Sequence, residues 1–476
     1  MGWNGFMSAL SKLFAVKGVE FDEETPNTGS LYKKSLSIAW PAAVEGALLS
    51  IIGSIDTMMV GKLGKAAIAA VGLVGQPRMI LLVLAQALCV GTTAIVARRK
   101  GADDRKGANE CFRQSMFIIT LLGLVLGAIG FIFAEPFIKI AGGNEDTLQL
   151  GVDYFKVICV GIPCNCWLLC ICAAFRGIGK TRITMATNVI ANLINVFFNY
   201  CLIGGHFGFP ALGVKGAAIA TVIGTVIATI IGFYFALRPF GYLRLRLNFK
   251  EKLDVETLKS LVSVGGSSVA ESVFLRIGFL ITNRLVADLG TDALAANQVV
   301  SQVTGLSFTL GDGIAAAGTS LVGQSLGAGR KDKAKAYIKI TRTISYFTSV
   351  ALMLCIFFFR RGLAELFTDD ATVIAGASVA YLVVVLGMIP QNGRIVFSGC
   401  LRGAGDVRFV ALISLFSVTL LRPITTWLLC YPLNSMLPFL QLSYTGTWIS
   451  FLVDSLVRDF LLLHRIRTEK WADIKL

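Results

Sequence analysis

Apolar residues fill this chain in long runs, and short polar loops separate them. The pattern predicts twelve apolar helices, over about 36–60, 66–97, 112–134, 150–174, 183–206, 212–238, 257–287, 293–326, 340–360, 374–400, 408–432 and 441–465. Such runs reach the roughly 20 residues needed to cross a bilayer core. The first carries Pro41 near its entry and two acids, Glu45 and Asp56, then turns at Gly61–Gly64 into the next helix. At about 100° per residue, the spacing of Glu45 and Asp56 returns to nearly one face, about 16 Å further along the axis. Both acids are expected to line one cavity. A carboxylate inside a span costs on the order of 2.5–3.5 kcal/mol on insertion scales, so each marks function.

The pattern occurs twice. A shift of 226 residues lays Glu45 on Glu271, Leu63-Gly64 on Leu289-Gly290 and Gln76 on Gln302. It lays Gly101-Ala102 on Gly327-Ala328, Ala108 on Ala334, Gly161 on Gly387, and Arg176-Gly177-x-Gly179 on Arg402-Gly403-x-Gly405. One offset without a gap covers the first four helices of each half. Six spans per half is an even number, so both halves enter the membrane in the same direction. A pseudo-two-fold along the membrane normal is expected, with the substrate between the halves. The predicted parts are a 1–30 amphipathic and linker segment, a 31–238 lobe, a 239–256 linker, a 257–465 lobe and a 466–476 tail.

Composition agrees: 55% of residues are hydrophobic, 15% are charged and mean hydropathy is +0.72. The net charge of +15 comes largely from inter-helix loops. Arg98, Arg99, Lys100, Arg105 and Lys106 follow the second span. Arg244, Arg246, Lys250, Lys252 and Lys259 follow the sixth, and Arg330, Lys331, Lys333 and Lys335 the eighth. That bias puts both termini in the cytoplasm and gives no reason to invoke nucleic acid. Trp3, Phe6, Met7, Leu10, Leu13 and Phe14 form an amphipathic pattern suited to the inner leaflet. Cys164, Cys166, Cys170 and Cys172 read as small core residues rather than metal ligands. Gly179-Lys180-Thr181 lacks the earlier glycine of a P-loop, which argues against ATP as the energy source. His206 and His464, far apart in sequence, support neither a metal site nor a triad.

The motifs resemble the multidrug and toxic compound extrusion (MATE) family of bacteria. The matching residues are Asp56-Thr57, Val60-Gly61-x-Leu63-Gly64 and Ala69-Ala70, then Arg176-Gly177-x-Gly179-Lys180-Thr181. Further matches are Gly323-Gln324-x-x-Gly327-Ala328-Gly329, Ala334, Arg402-Gly403-x-Gly405-Asp406 and the segment Asn192 to Thr221. The resemblance implies an all-α membrane fold of two six-helix halves. It also implies export of organic compounds in exchange for Na+ or H+, with no enzyme activity and no cofactor. Asp56 matches the family's coupling-ion acid, with Asn195, Asn199 and Thr221 beside it, and Pro41 the helix bend. No metal is implied beyond Na+ at Asp56. Asn199 stands where some members carry a second acid.

The second half departs from the pattern. Gln391 occupies the tenth-helix position where sodium-coupled members often carry an acid, and Asp56 falls on Thr282 in the repeat. The ion is therefore placed in the first half. Glu45, Glu271, Gln302, Gln391 and Arg394 are the candidate cavity residues. Glu45 with Glu271 would suit an organic cation. Arg276, Arg284, Arg394 and Arg422 would suit an anion, or else pair with Glu271 or reach an interface. Two other readings stay open: a lipid-linked sugar flippase of the same superfamily, and an ion channel or membrane-embedded enzyme. The expected partners are a small organic substrate and the lipid bilayer, with the chain a monomer at the cell inner membrane.

Overall fold

The computed structural model describes residues 19, 27–61, 63–238, 241–245, 254–368, 370–433, 436 and 445–474. The predicted amphipathic segment near Trp3 and most of the 239–256 linker lie outside the described residues. Every regular element described is helical. The long helices are α1 (Thr28–Gly61), α2 (Lys65–Gly101), α3 (Arg105–Ile132), α4 (Glu145–Gly177), α5 (Thr181–Gly204) and α6 (Gly213–Leu237). They continue as α7 (Val255–Ala287), α8 (Thr291–Gly327), α9 (Lys331–Glu365), α10 (Ala371–Ala404), α11 (Val407–Leu433) and α12 (Thr445–Arg467). Among the described residues ten are long and apolar enough to cross a membrane, with α8 and α12 outside that set. Leu121, Ile132, Phe358 and Leu386 face outward and exposed, which suits lipid rather than water.

Several helices outrun the predicted spans. Polar turns such as Arg105–Glu110 and Lys331–Lys339 are helical too, because a helix need not stop where its apolar stretch does. A short helix, Ala134–Ile140, follows α3 where only a span end was expected.

Packing divides the chain into two compact units. The first comprises Val44–Gly266; the second joins the described residues up to Ala43 to Ser267 and beyond. Each division falls inside the first helix of a repeat, whereas the pattern predicted lobes of 31–238 and 257–465. Leu31, Ile38 and Ala39 of α1 pack in the second unit's core with Ile314, Leu321 and Val396. Leu261 of α7 packs in the first unit's core. α1 runs through Pro41 as one helix.

The repeat is visible as matched contacts. Thr93 on α2 donates to the Ala173 carbonyl of α4 at 3.0 Å, and Thr319 on α8 donates to the Gly399 carbonyl of α10 at 2.8 Å. The next glycine on each helix permits that approach. A Cβ on Gly177 would lie 2.8 Å from the Thr93 carbonyl oxygen, and one on Gly403 would lie 2.2 Å from that of Thr319. Gly179 and Gly405 then close their turns at φ 79° and 91°, a conformation that favours glycine. The Arg-Gly-x-Gly motif thus encodes a helix contact and a stop. Asn144 and Asp370, also related by the repeat, cap the N-termini of α4 and α10.

One pair breaks the match. α5 is a regular α-helix, whereas its counterpart α11 contains π-helical turns at Leu415–Leu421 and Leu429–Leu433.

Candidate functional site

In the first unit, α1 and α5 meet along a polar ladder. Thr184, Asn188, Asn195 and Asn199 fall at four- and seven-residue steps, which places them on one face of α5. Glu45 accepts from Thr184 Oγ1 at 3.1 Å and from Asn188 Nδ2 at 2.6 Å. Asp56 accepts from Asn199 Nδ2 at 2.7 Å. The Asn195 amide is assigned in the orientation that satisfies both its ends. Its Nδ2 then donates to both Asp56 oxygens at 2.9 Å, and its carbonyl accepts from Thr221 Oγ1 of α6 at 3.2 Å. The two acids of α1 therefore do share a face, and α5 reads both.

The Asp56 end has spare oxygen. Asn199 is 1% exposed, yet its Oδ1 has no hydrogen-bond partner. A small cleft of mixed lining takes in Thr221, Arg78, Asn165 and Thr225 together with Leu82, Ile158, Ile162 and Val222. A carboxylate, an orphaned amide oxygen and a hydroxyl offer a small cation the oxygen ligands it needs. The Glu45 end differs, since Arg176 of α4 lies within its electrostatic reach.

In the second unit, the repeat partners of that last pair form a direct ion pair. Arg402 Nη2 donates to Glu271 Oε1 at 2.6 Å, and its Nε to Oε2 at 3.3 Å. This corrects the pairing of Glu271 with Arg276, Arg284, Arg394 or Arg422. Arg276 is exposed, and Arg284 lies 3.3 Å from Asp288 one turn on. Arg394 and Arg422 are buried elsewhere, against aromatic rings. Of the other cavity candidates, Gln302 is exposed on α8, and Gln391 is fully buried with neither end of its amide bonded. Thr282, the counterpart of Asp56, is buried and donates to the Gly278 carbonyl at 2.8 Å.

Sequence reasoning missed several residues. Thr184 and Asn188 were visible as the continuation of the Asn195–Asn199 stripe one helical period earlier. Arg176 and Arg402 were noted as motif letters rather than as partners of the repeated glutamates. Asp312 on α8, an exposed acid in the field of Arg402 and Arg394, passed unremarked inside an apolar run.

Together these features define a multi-pass α-helical membrane protein built by tandem duplication, with a carboxylate ladder inside one repeat. The model of the MatE family matches it twice, over residues 41–201 and 268–428. The chain belongs to that family; it is a transporter and not an enzyme. Among relatives, a protein of Thermotoga maritima named as a probable multidrug resistance protein NorM is 28% identical, covering 94% of each chain. The multidrug resistance protein PmpM of Pseudomonas aeruginosa is 28% identical over 81% of each chain. A solved outward-facing multidrug resistance MATE family transporter shares the fold with TM-score 0.85 and 21% identity, covering 95% of this chain and 100% of that one.

Proposed function

We propose that this protein exports small organic compounds across the cytoplasmic membrane in exchange for Na+ or H+, with the coupling ion held at Asp56. The single observation that carries the reading is the buried Asn199 Oδ1, left without a donor beside the Asp56 carboxylate. Asn195 orients that carboxylate and is itself oriented by Thr221. An ion arriving there finds ligands already ordered. It moves the transporter between its two access states only to the extent that it binds one of them better. The relatives' names support the same class of cargo. Both termini fall on the cytoplasmic side by the loop-charge bias, and the chain works as a monomer.

The test is dye efflux from drug-sensitive bacterial cells, comparing wild type with Asp56→Asn at matched membrane expression. Efflux should vanish in the variant, and imposed sodium or pH gradients then name the ion. Unchanged efflux would remove Asp56 from the coupling site. Absence of efflux from wild type as well would favour a narrow metabolite or a lipid-linked substrate over a broad range of drugs.

A further inference from the structure

The second unit buries three arginines that its own acids do not neutralise. Arg394 of α10, Arg422 of α11 and Arg458 of α12 are 6%, 6% and 3% exposed. They lie within electrostatic reach of one another and of Asp454. Asp454 spends one oxygen on the Ser417 hydroxyl, and its Oδ2 has no partner, so it clamps none of the three. Arg458 donates to Ser414 Oγ at 3.1 Å. Arg394 sits 5.3 Å over the Phe308 ring; Arg422 sits 5.1 Å over Phe279 and 5.2 Å over Phe451. Ring faces attract a cation but leave its in-plane N–H groups unpaired.

Those N–H groups are the anomaly. The Nε of Arg394, of Arg422 and of Arg458 has no acceptor. Gln391, one turn before Arg394 on the same face of α10, has both ends of its amide unbonded, and the buried Trp448 has an unbonded indole N–H. An orphaned buried donor carries the full penalty of its lost hydration, and a charged one a larger penalty still. Helix packing alone does not explain several of them in one place. Charge points the same way. With Asp312 and the Glu271–Arg402 pair included, four arginines face three acids, leaving one positive charge. The π-helical turn Leu415–Leu421, which ends just before Arg422, is a distortion often found at functional sites.

We propose that this cluster is a binding site for one monovalent anion, either the carboxylate of a transported compound or inorganic chloride. Guanidinium groups and amide donors are suited to both. The site lies wholly within the second unit, and its occupancy is measured without transport, so it stands or falls apart from the ion site at Asp56.

The experiment uses the full chain purified in detergent, at constant sodium and ionic strength, with methanesulfonate as the balancing anion. The unfolding temperature is followed as chloride, or separately benzoate, replaces it. A ligand that binds only the folded state raises that temperature with its concentration relative to its dissociation constant. A rise with chloride alone assigns an inorganic anion; a rise with benzoate assigns the substrate's carboxylate. In either case Arg394→Gln should raise the concentration required at least tenfold, and the exposed Arg276→Gln should leave it unchanged. Should Arg394→Gln not fold, Arg422→Gln serves in its place. Identical curves in all three salts, or a response retained in both Arg394→Gln and Arg422→Gln, would overturn the site.

Discussion

Set side by side, the two repeats keep the same skeleton and bury different polar groups. Thr93 and Thr319 make the same bond to the facing helix, Gly177 and Gly403 allow it, and Asn144 and Asp370 cap the same end. Arg176 and Arg402 each lie beside the glutamate of their own repeat. The differences begin at the middle of the helices. Within the four helices that the offset covers, Asp56 gives way to Thr282 and Leu168 to Arg394. The repeats keep the contacts that hold the helices together and differ in their buried polar residues. In the first unit the Asp56 carboxylate meets side-chain amides, whereas the second unit buries Arg394 and Arg422 with their Nε groups unbonded.

The sharpest way to break this comparison is to make the first unit resemble the second. Asp56→Thr should abolish gradient-driven dye efflux, and adding Thr282→Asp should not restore it, because Thr282 is buried without the Asn195–Asn199 pair. Efflux recovered by the double variant would show that the two halves are interchangeable. Next in size is the loss of a glutamate charge. Glu271→Gln leaves Arg402 without its ion partner and should cost about 3–5 kcal/mol. Glu45→Gln keeps an oxygen for Asn188 and Thr184 and should cost about 1.5–3 kcal/mol, in the range of a lost charge-assisted bond. Denaturant titration of the purified variants measures both, and a larger loss for Glu45→Gln would reverse the assignment of the direct pair. A smaller contrast lies at the glycines. Adding a methyl to a tight contact costs about 1–3 kcal/mol. Gly403→Ala should sit at the upper end and Gly177→Ala lower, following approaches of 2.2 and 2.8 Å.

The fold was legible because it is written in lengths and repeats. Apolar runs located the helices, and one constant offset gave the duplication before any contact was known. The Asp56 environment was legible for a related reason: Asn195 and Asn199 are four apart on one helix, and one helix face is a local property. What stayed hidden was pairing across helices. Nothing local distinguishes Arg402 from Arg276 as the partner of Glu271, because that choice depends on which residues α7 and α10 bring together. The division of α1 between the two units was hidden as well. An apolar run shows that a helix sits in apolar surroundings, not which neighbour packs against it.

The smallest contrast isolates backbone strain from packing. Asp103 and Gly329 occupy equivalent places after α2 and α8, with φ 54° and 72°. A Cβ on Gly329 would touch nothing within 4 Å, so a substitution there reports conformation alone. A left-handed residue with a side chain costs about 1–2 kcal/mol, less for aspartate, which tolerates that region. Glycine offsets part of its advantage there through the extra freedom it loses on folding, about 0.5–1 kcal/mol. Gly329→Ala should therefore lower stability by about 1 kcal/mol, Gly329→Asp by less, and Asp103→Gly should shift it by no more than about 0.5 kcal/mol. Thermal unfolding of the three purified variants reads the order directly. If Gly329→Asp proved worse than Gly329→Ala, the turn after α8 would be reading charge rather than backbone angle, and the two turns would not be equivalent after all.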